Sequence, residues 1–356
     1  MPTRVRSFSK INLGLRVGPP QPGTGFHALM TCYQTLAAHD VITMSAQRAA
    51  KTTITLGANH PGVPRTETGD AAKNTAYRLV ALALEKLGVG AEVHIELNKR
   101  MPVQGGLGAG SANAAAALLG LERELGVALS WDDRLTLAAE VGSDVPMFLL
   151  GGTMLGLNRG EEVYPLPDLP TTPCVLAIPS VGVSTAKAFA ALDAKYARAQ
   201  GPGPGDQSAG LPGAGASPLT FQPPVDKLKK LSHALAGAFT YPGTAESGFT
   251  GIAGSAGDLA ENPLLTLVRT GIENDFEEVA FSEHPTLRSI KHELAGNGPE
   301  AAIFAGLSGS GSALFGLYAS EQDALKAQQR VQQAGTRAIV TTTLPRTGYW
   351  HTMFAE

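Results

Sequence analysis

Apolar and polar residues alternate from Ala91 to Leu97, with Val93, Ile95 and Leu97 on one face and Glu92, His94 and Glu96 on the other. That alternation predicts a half-buried β-strand. Upstream, Ala72, Ala76, Leu79, Val80, Ala83 and Leu87 recur at helical spacing, with Asp70 placed to cap the helix and Gly88 to stop it. A further helix is expected after Ser130, with Asp132 and Asp133 in the first turn, where they complement the helix dipole. Its end at Gly142 puts Asp144 on a loop just beyond it. Arg4 to Leu15 and Asp40 to Leu56 read as strands, the second weakened by the polar stretch Ser45 to Lys51, where a turn is expected. The whole pattern is that of an α+β fold.

The strand ending at Leu97 runs into Lys99-Arg-Met-Pro-Val-Gln-Gly-Gly-Leu-Gly-Ala-Gly-Ser111, and an alanine-rich helix follows, with Ala114 to Ala117 and Leu118-Leu119. Gly105, Gly106, Gly108 and Gly110 lack the Cβ that keeps an oxygen-rich ligand from backbone N–H groups, and Ser111 is placed to cap the helix. A helix N-terminus adds partial positive charge, so strand, glycine turn and helix together predict a phosphate cradle. Glycine-rich turns also occur where nothing binds. A Walker A loop is excluded because no Gly-Lys-Ser/Thr follows, and the dinucleotide fingerprint fails because Ser111 stands where its third glycine belongs.

At 356 residues the chain is long enough for two domains with separate cores. A formal charge of −3 without a local run of Lys and Arg leaves no electrostatic footprint for nucleic acid. Cys32 and Cys174, the only cysteines, suggest buried thiols rather than a disulfide framework or zinc site. The remaining histidines show no metal-ligand pair at helical spacing, so no zinc site is expected. The opening segment is too polar to read as a signal peptide and no run of about 18 apolar residues occurs, so a cytoplasmic protein with no membrane partner is expected. The segments 199–217 and 241–262 are dominated by Gly, Pro, Ser and Ala, a composition that predicts surface insertions, the first as a mobile loop.

Pro102, Gly106, Leu107, Gly108, Ser111 and Ala114 together resemble the second motif of the GHMP small-molecule kinases. Three further stretches are similar to motifs of that family in the same order: Ser9 to Leu15 with Gly25-Phe-His-Ala-Leu29, Gly142 to Phe148, and the glycine-rich Leu307 to Phe315. Ala109, Ala112 and Asn158 stand where the family often has Gly, Ser and Gly, departures that remove no charge or proton-transfer group.

The resemblance implies a two-domain fold, residues 1–165 and 166–356, with ATP and substrate in the interdomain cleft and the 199–217 insertion in the second domain. It implies phosphate binding by Pro102, Gly105, Gly106, Leu107, Gly108, Ala109, Gly110 and Ser111. It further implies that Asp144 accepts the acceptor hydroxyl's proton and that Lys10 keeps that carboxylate ionised, with Mg2+ neutralising the phosphates and Ser111 a candidate ligand to it. Taken alone, Asp144 reads equally as a turn residue, Lys10 as a solvated lysine and Ser111 as a helix cap. Among family members the similarity is greatest to those that phosphorylate the 2-hydroxyl of 4-diphosphocytidyl-2-C-methyl-D-erythritol in non-mevalonate isoprenoid synthesis. That implies a cytidine-diphosphate substrate, held by Asn12, by Phe26 and His27 at the cytosine, and by Thr185 and Phe189. Taken alone, Phe189 reads as a core residue. Another acceptor, mevalonate or homoserine, and a ligand sensor without turnover are the rival readings. A monomer or homodimer fits either.

Overall fold

The computed structural model of the chain describes residues 1–20, 26–200, 231, 263–269 and 272–355. Strand β1 (Thr3–Pro20) threads the whole molecule: Val5 and Phe8 enter one apolar core, Ile11 and Leu13 a second, and Leu15 and Val17 a third. Its antiparallel partner β2 (His27–Arg48) is longer still. Beyond the turn that follows it come β3 (Thr53–Ala58), helix α1 (Thr75–Leu87) and β4 (Ala91–Asn98), a crossover that leaves β3 parallel to β4. The burial of β4 alternates strictly, with Val93, Ile95 and Leu97 inside, as its pattern predicts.

The second half of β2 pairs with β4 and its first half with β5 (Thr153–Asn158), which carries β6 (Glu162–Pro165). Helix α2 (Ala109–Leu125) lies on this sheet through Ala112 and Ala114 to Ala117, all buried. Such small side chains let the helix approach closely, and Gly120 fits against Met44 and Val5. Helix α3 (Trp131–Val141) opens at Ser130, whose hydroxyl accepts the Asp133 N–H as expected.

The second sheet has the order β10-β7-β9-β8, from β7 (Pro173–Ile178), β8 (Phe304–Leu307), β9 (Leu314–Leu317) and β10 (Arg337–Thr342). Around it lie α4 (Thr185–Gln200), α5 (Pro263–Arg269), α6 (Phe276–Glu283), α7 (Pro285–Ala295) and α8 (Glu321–Gln333). The chain then returns to the first sheet, where α9 (Arg346–Met353) packs and β11 (Phe354–Ala355) pairs with β1. Among the described residues no helix is long and apolar enough to cross a membrane.

Three local expectations need correction. The cap of α1 is Asn74, whose side chain accepts the Ala76 N–H, because Asp70 begins a separate 3-10 turn before the helix; Gly88 does close α1 in a left-handed conformation. The second predicted strand begins at His27 rather than Asp40, and the turn falls at its far end, after Arg48. Helix α2 starts three residues early, with Gly108 as its N-cap and Ser111 inside the first turn. Gly108 takes φ +67°, a left-handed turn that a serine cap does not supply. Cys32 and Cys174 are free and buried, and burial pushes the Cys32 thiol up to about 12 and the Cys174 thiol higher still. The predicted insertions lie outside the described residues, save that α4 continues to Gln200.

Candidate active site

Strand β4 delivers the chain to the glycine loop, and a buried carboxylate fixes its entrance. Asp40, inaccessible to solvent, accepts the backbone N–H groups of Arg100 (2.7 Å) and Met101 (2.8 Å) and the Asn113 amide of α2 (3.1 Å), and pairs with Lys99. A buried carboxylate with this many donors is satisfied where it stands. Sequence reasoning read Asp40 only as the start of a strand; its one signal is an acid beside the apolar run Val41-Ile42.

Gly108 then turns the chain into α2, and a Cβ there would fall 2.8 Å from Phe148 Cζ and 2.9 Å from Lys10 Cγ. The first backbone bond of the helix runs from the Ala112 N–H to the Gly108 carbonyl, so the N–H groups of Ala109, Gly110 and Ser111 point out of the helix end. Ala109 does not crowd the loop, since it is buried in the second core. The loop is tied to β1 by the Lys10 N–H, which donates to the Leu107 carbonyl at 3.0 Å.

The C-terminal glycine-rich motif between β8 and β9 docks on this loop. The Ser308 hydroxyl donates to the Gly106 carbonyl (2.9 Å) and the Ala313 N–H to the Gly105 carbonyl (3.0 Å). Gly106 has φ +78°, and a Cβ on it would stand 2.0 Å from the Ser308 carbonyl oxygen. Ser310 shares a hydrogen bond of 2.8 Å with Thr185 at the start of α4.

Opposite the loops, Lys10 is 3% exposed and its ammonium lies 3.1 Å from Asp144 Oδ2 and 2.6 Å from Asn12 Oδ1. Irregularities in the β1–β2 register fall on both sides of the Lys10 to Asn12 segment. Bulges of this kind re-aim side chains. Asn12 donates to Thr31 Oγ1 (2.8 Å), which donates to the Gly14 carbonyl (2.8 Å). Asp144 sits in the turn between α3 and a 3-10 segment (Pro146–Leu149), and its second oxygen accepts the Tyr33 hydroxyl at 3.0 Å. Burial, together with the Asp144 charge and hydrogen bond, holds the Tyr33 hydroxyl well above its ordinary range, so it stays a donor. Tyr33 was missed from sequence, where it stands 111 residues from its partner inside a strand.

The third wall is aromatic. Phe26 exposes its ring, over which the Arg159 guanidinium lies at 5.0 Å. Asn158 holds the preceding turn with φ +63°, a conformation glycine adopts freely and asparagine tolerates. His27 is buried, with Nδ1 2.9 Å from the Gly18 carbonyl, and it stacks on Phe189 at a ring separation of 5.0 Å. Phe189 meets Phe276 edge-on, so it is both a cleft residue and part of the third core.

One cleft of about 1070 Å³ gathers these groups. Its lining includes Lys10, Asn12, Phe26, His27, Tyr33, Gly105, Gly106, Asp144, Thr185, Phe189 and Gly309 to Gly311. Pro102, Leu107, Gly108, Ala109, Gly110 and Ser111 are not among its lining residues; Leu107 and Ala109 are buried, and these residues shape the loop through their backbone. Among the described residues no three His, Cys, Asp or Glu side chains cluster as metal ligands.

The family model described as GHMP kinases N terminal domain matches residues 74–152, and that described as GHMP kinases C terminal matches residues 258–337. A relative from Solibacter usitatus named 4-diphosphocytidyl-2-C-methyl-D-erythritol kinase is 34% identical over 314 residues, 88% of this chain and 80% of that protein. A crystal structure of 4-(cytidine 5'-diphospho)-2C-methyl-D-erythritol kinase superposes with a TM-score of 0.62 at 26% identity, covering 95% of this chain and 98% of that one. The L. major mevalonate kinase in complex with R-mevalonate reaches the same TM-score of 0.62 at 15% identity, over 96% of each chain, a likeness of fold alone.

Proposed function

The chain belongs to the GHMP kinase family and is an ATP-dependent small-molecule kinase, and on that premise we propose that it transfers the γ-phosphoryl group of ATP to the 2-hydroxyl of 4-diphosphocytidyl-2-C-methyl-D-erythritol. The observation that carries this reading is the shared cleft, in which the Lys10–Asp144 pair faces two glycine loops on one side and an aromatic wall on the other. The name of the Solibacter usitatus relative supports the acceptor. So does the aromatic wall, for which mevalonate and homoserine, having no ring, offer no partner. The complete Lys10–Asp144 pair speaks for turnover rather than sensing.

Asp144 orients the acceptor hydroxyl and takes its proton as the phosphoryl group arrives. Lys10 and Tyr33 each hold one of its oxygens, which fixes the carboxylate's direction. The glycine loop and the first turn of α2 offer N–H donors and close backbone approach, and these fit a triphosphate. Mg2+ arriving with ATP supplies charge neutralisation, and the donor set present for it is hydroxyl oxygen, chiefly Ser111, whose hydroxyl lies near Gly142. Positioning and charge stabilisation carry most of the rate enhancement. Binding and catalysis divide between 1–165 and 166–356, a reading supported by the change of sheet between β6 and β7; α9 and β11 cross back.

Competition by nucleotides tests the acceptor. CDP and CMP are expected to compete with the acceptor and their uridine counterparts to compete poorly, because exchanging an amino donor for a carbonyl leaves polar groups mispaired. Phe26→Ala should weaken both by about 1–3 kcal/mol through lost stacking. Equal inhibition by cytidine and uridine nucleotides, or none at millimolar concentration, would remove the cytidine acceptor and leave the kinase.

A further inference from the structure

The two oxygens of Asp144 have partners of different kinds. Oδ2 faces the Lys10 ammonium at 3.1 Å, and Oδ1 accepts the Tyr33 hydroxyl at 3.0 Å. An ammonium only donates, whereas a hydroxyl both donates and accepts. The Tyr33 hydroxyl also has a second acceptor within reach, the Gly160 carbonyl at 3.4 Å in the turn between β5 and β6. The ring itself is packed in place: it is buried, and a methyl at Gly156 or Gly160 would collide with its edge or its hydroxyl. Burial, foremost, and the Asp144 charge keep the hydroxyl protonated. What remains free to move is the O–H bond, by rotation about the C–O axis.

We propose that Tyr33 is a positioning residue that directs the transferred proton onto Asp144 Oδ1, its O–H aimed at that oxygen before transfer and turned to the Gly160 carbonyl afterwards. The inference rests on the function proposed above, with Asp144 as the base. As the acceptor oxygen bonds to the γ-phosphorus of ATP, its O–H bond breaks and the proton passes to the carboxylate, while the electron pair of the broken P–O bond leaves with ADP. A proton on Oδ2 would weaken the acceptor that Lys10 uses, and an ammonium has no lone pair with which to accept the new O–H. A proton on Oδ1 meets a partner that adapts. The phenol keeps its own hydrogen and turns it to Gly160, so no two hydrogens are left facing each other. Lys10 meanwhile retains its contacts with Oδ2 and with Asn12 Oδ1.

Single-turnover rates and equilibrium binding of ATP and 4-diphosphocytidyl-2-C-methyl-D-erythritol, measured for the wild type, Tyr33→Phe, Asp144→Asn and the double variant, test the assignment. Tyr33→Phe keeps the buried ring and removes only the hydroxyl, so the rate should fall roughly tenfold with both dissociation constants unchanged. In the Asp144→Asn background the same change should cost nothing further, because a residue that acts through the base has no effect once the base is gone. A Tyr33→Phe rate within about twofold of the wild type, a loss confined to binding, or losses that multiply in the double variant would overturn the assignment and leave Tyr33 as a packing residue. A wild type that leaves this acceptor unphosphorylated, or an Asp144→Asn rate near that of the wild type, would overturn the proposed function or its base, and the assignment with it.

Discussion

Asp144→Asn is expected to lower kcat by about 10²- to 10⁴-fold, the usual effect of losing a general base, while ATP and acceptor still bind. The amide retains the carboxylate's shape, and Lys10 keeps its 2.6 Å contact with Asn12 Oδ1, so the surrounding network survives. What disappears is the proton acceptor and the negative charge that Lys10 and Tyr33 orient. Single-turnover kinetics with equilibrium binding of both substrates separates the two roles. Near wild-type turnover would make Asp144 a turn residue and remove the mechanism.

Gly106→Ala should cost both stability and nucleotide affinity. A left-handed residue with a side chain is disfavoured by about 1–2 kcal/mol. Here the added methyl would also stand 2.0 Å from the Ser308 carbonyl oxygen, a backbone atom that no rotamer change relieves. The two glycine loops would have to separate, breaking the Ser308 to Gly106 and Ala313 to Gly105 bonds. The expected results are a lower melting temperature and an ATP KM raised at least about tenfold, measured by thermal unfolding and initial rates. An unchanged melting temperature and KM would show that the docking of the loops matters to neither.

Elements whose local pattern agrees with their environment were legible in the chain. β4 alternates because one of its faces meets the first core and the other meets water. α3 carries its own cap at Ser130. The glycine loop and Asp144 beyond α3 were legible as well. The first half of β2 was not, because Thr31, Gln34 and Thr35 are buried polar residues satisfied by distant partners: Gln34 bonds Leu344 and Thr153, and Thr35 bonds Leu344. No alternation survives where both faces of a strand are covered and polar groups find partners far along the chain. The start of α2 was misplaced for another reason. A left-handed glycine made the turn, and a hydroxyl three residues later was read as the cap. Tyr33 and Asp193 are long-range partners of Asp144 and His27, and no local pattern announces such pairs.

The most direct test of the account is phosphoryl transfer by the purified chain, with ATP and Mg2+, to 4-diphosphocytidyl-2-C-methyl-D-erythritol, mevalonate and homoserine in parallel, following ADP release and the product's phosphorus NMR spectrum. The account predicts ADP release with the cytidine-linked polyol alone, accompanied by one new phosphomonoester on its 2-hydroxyl. Turnover of mevalonate or homoserine in its place, or ADP release dependent on none of the three, would contradict it.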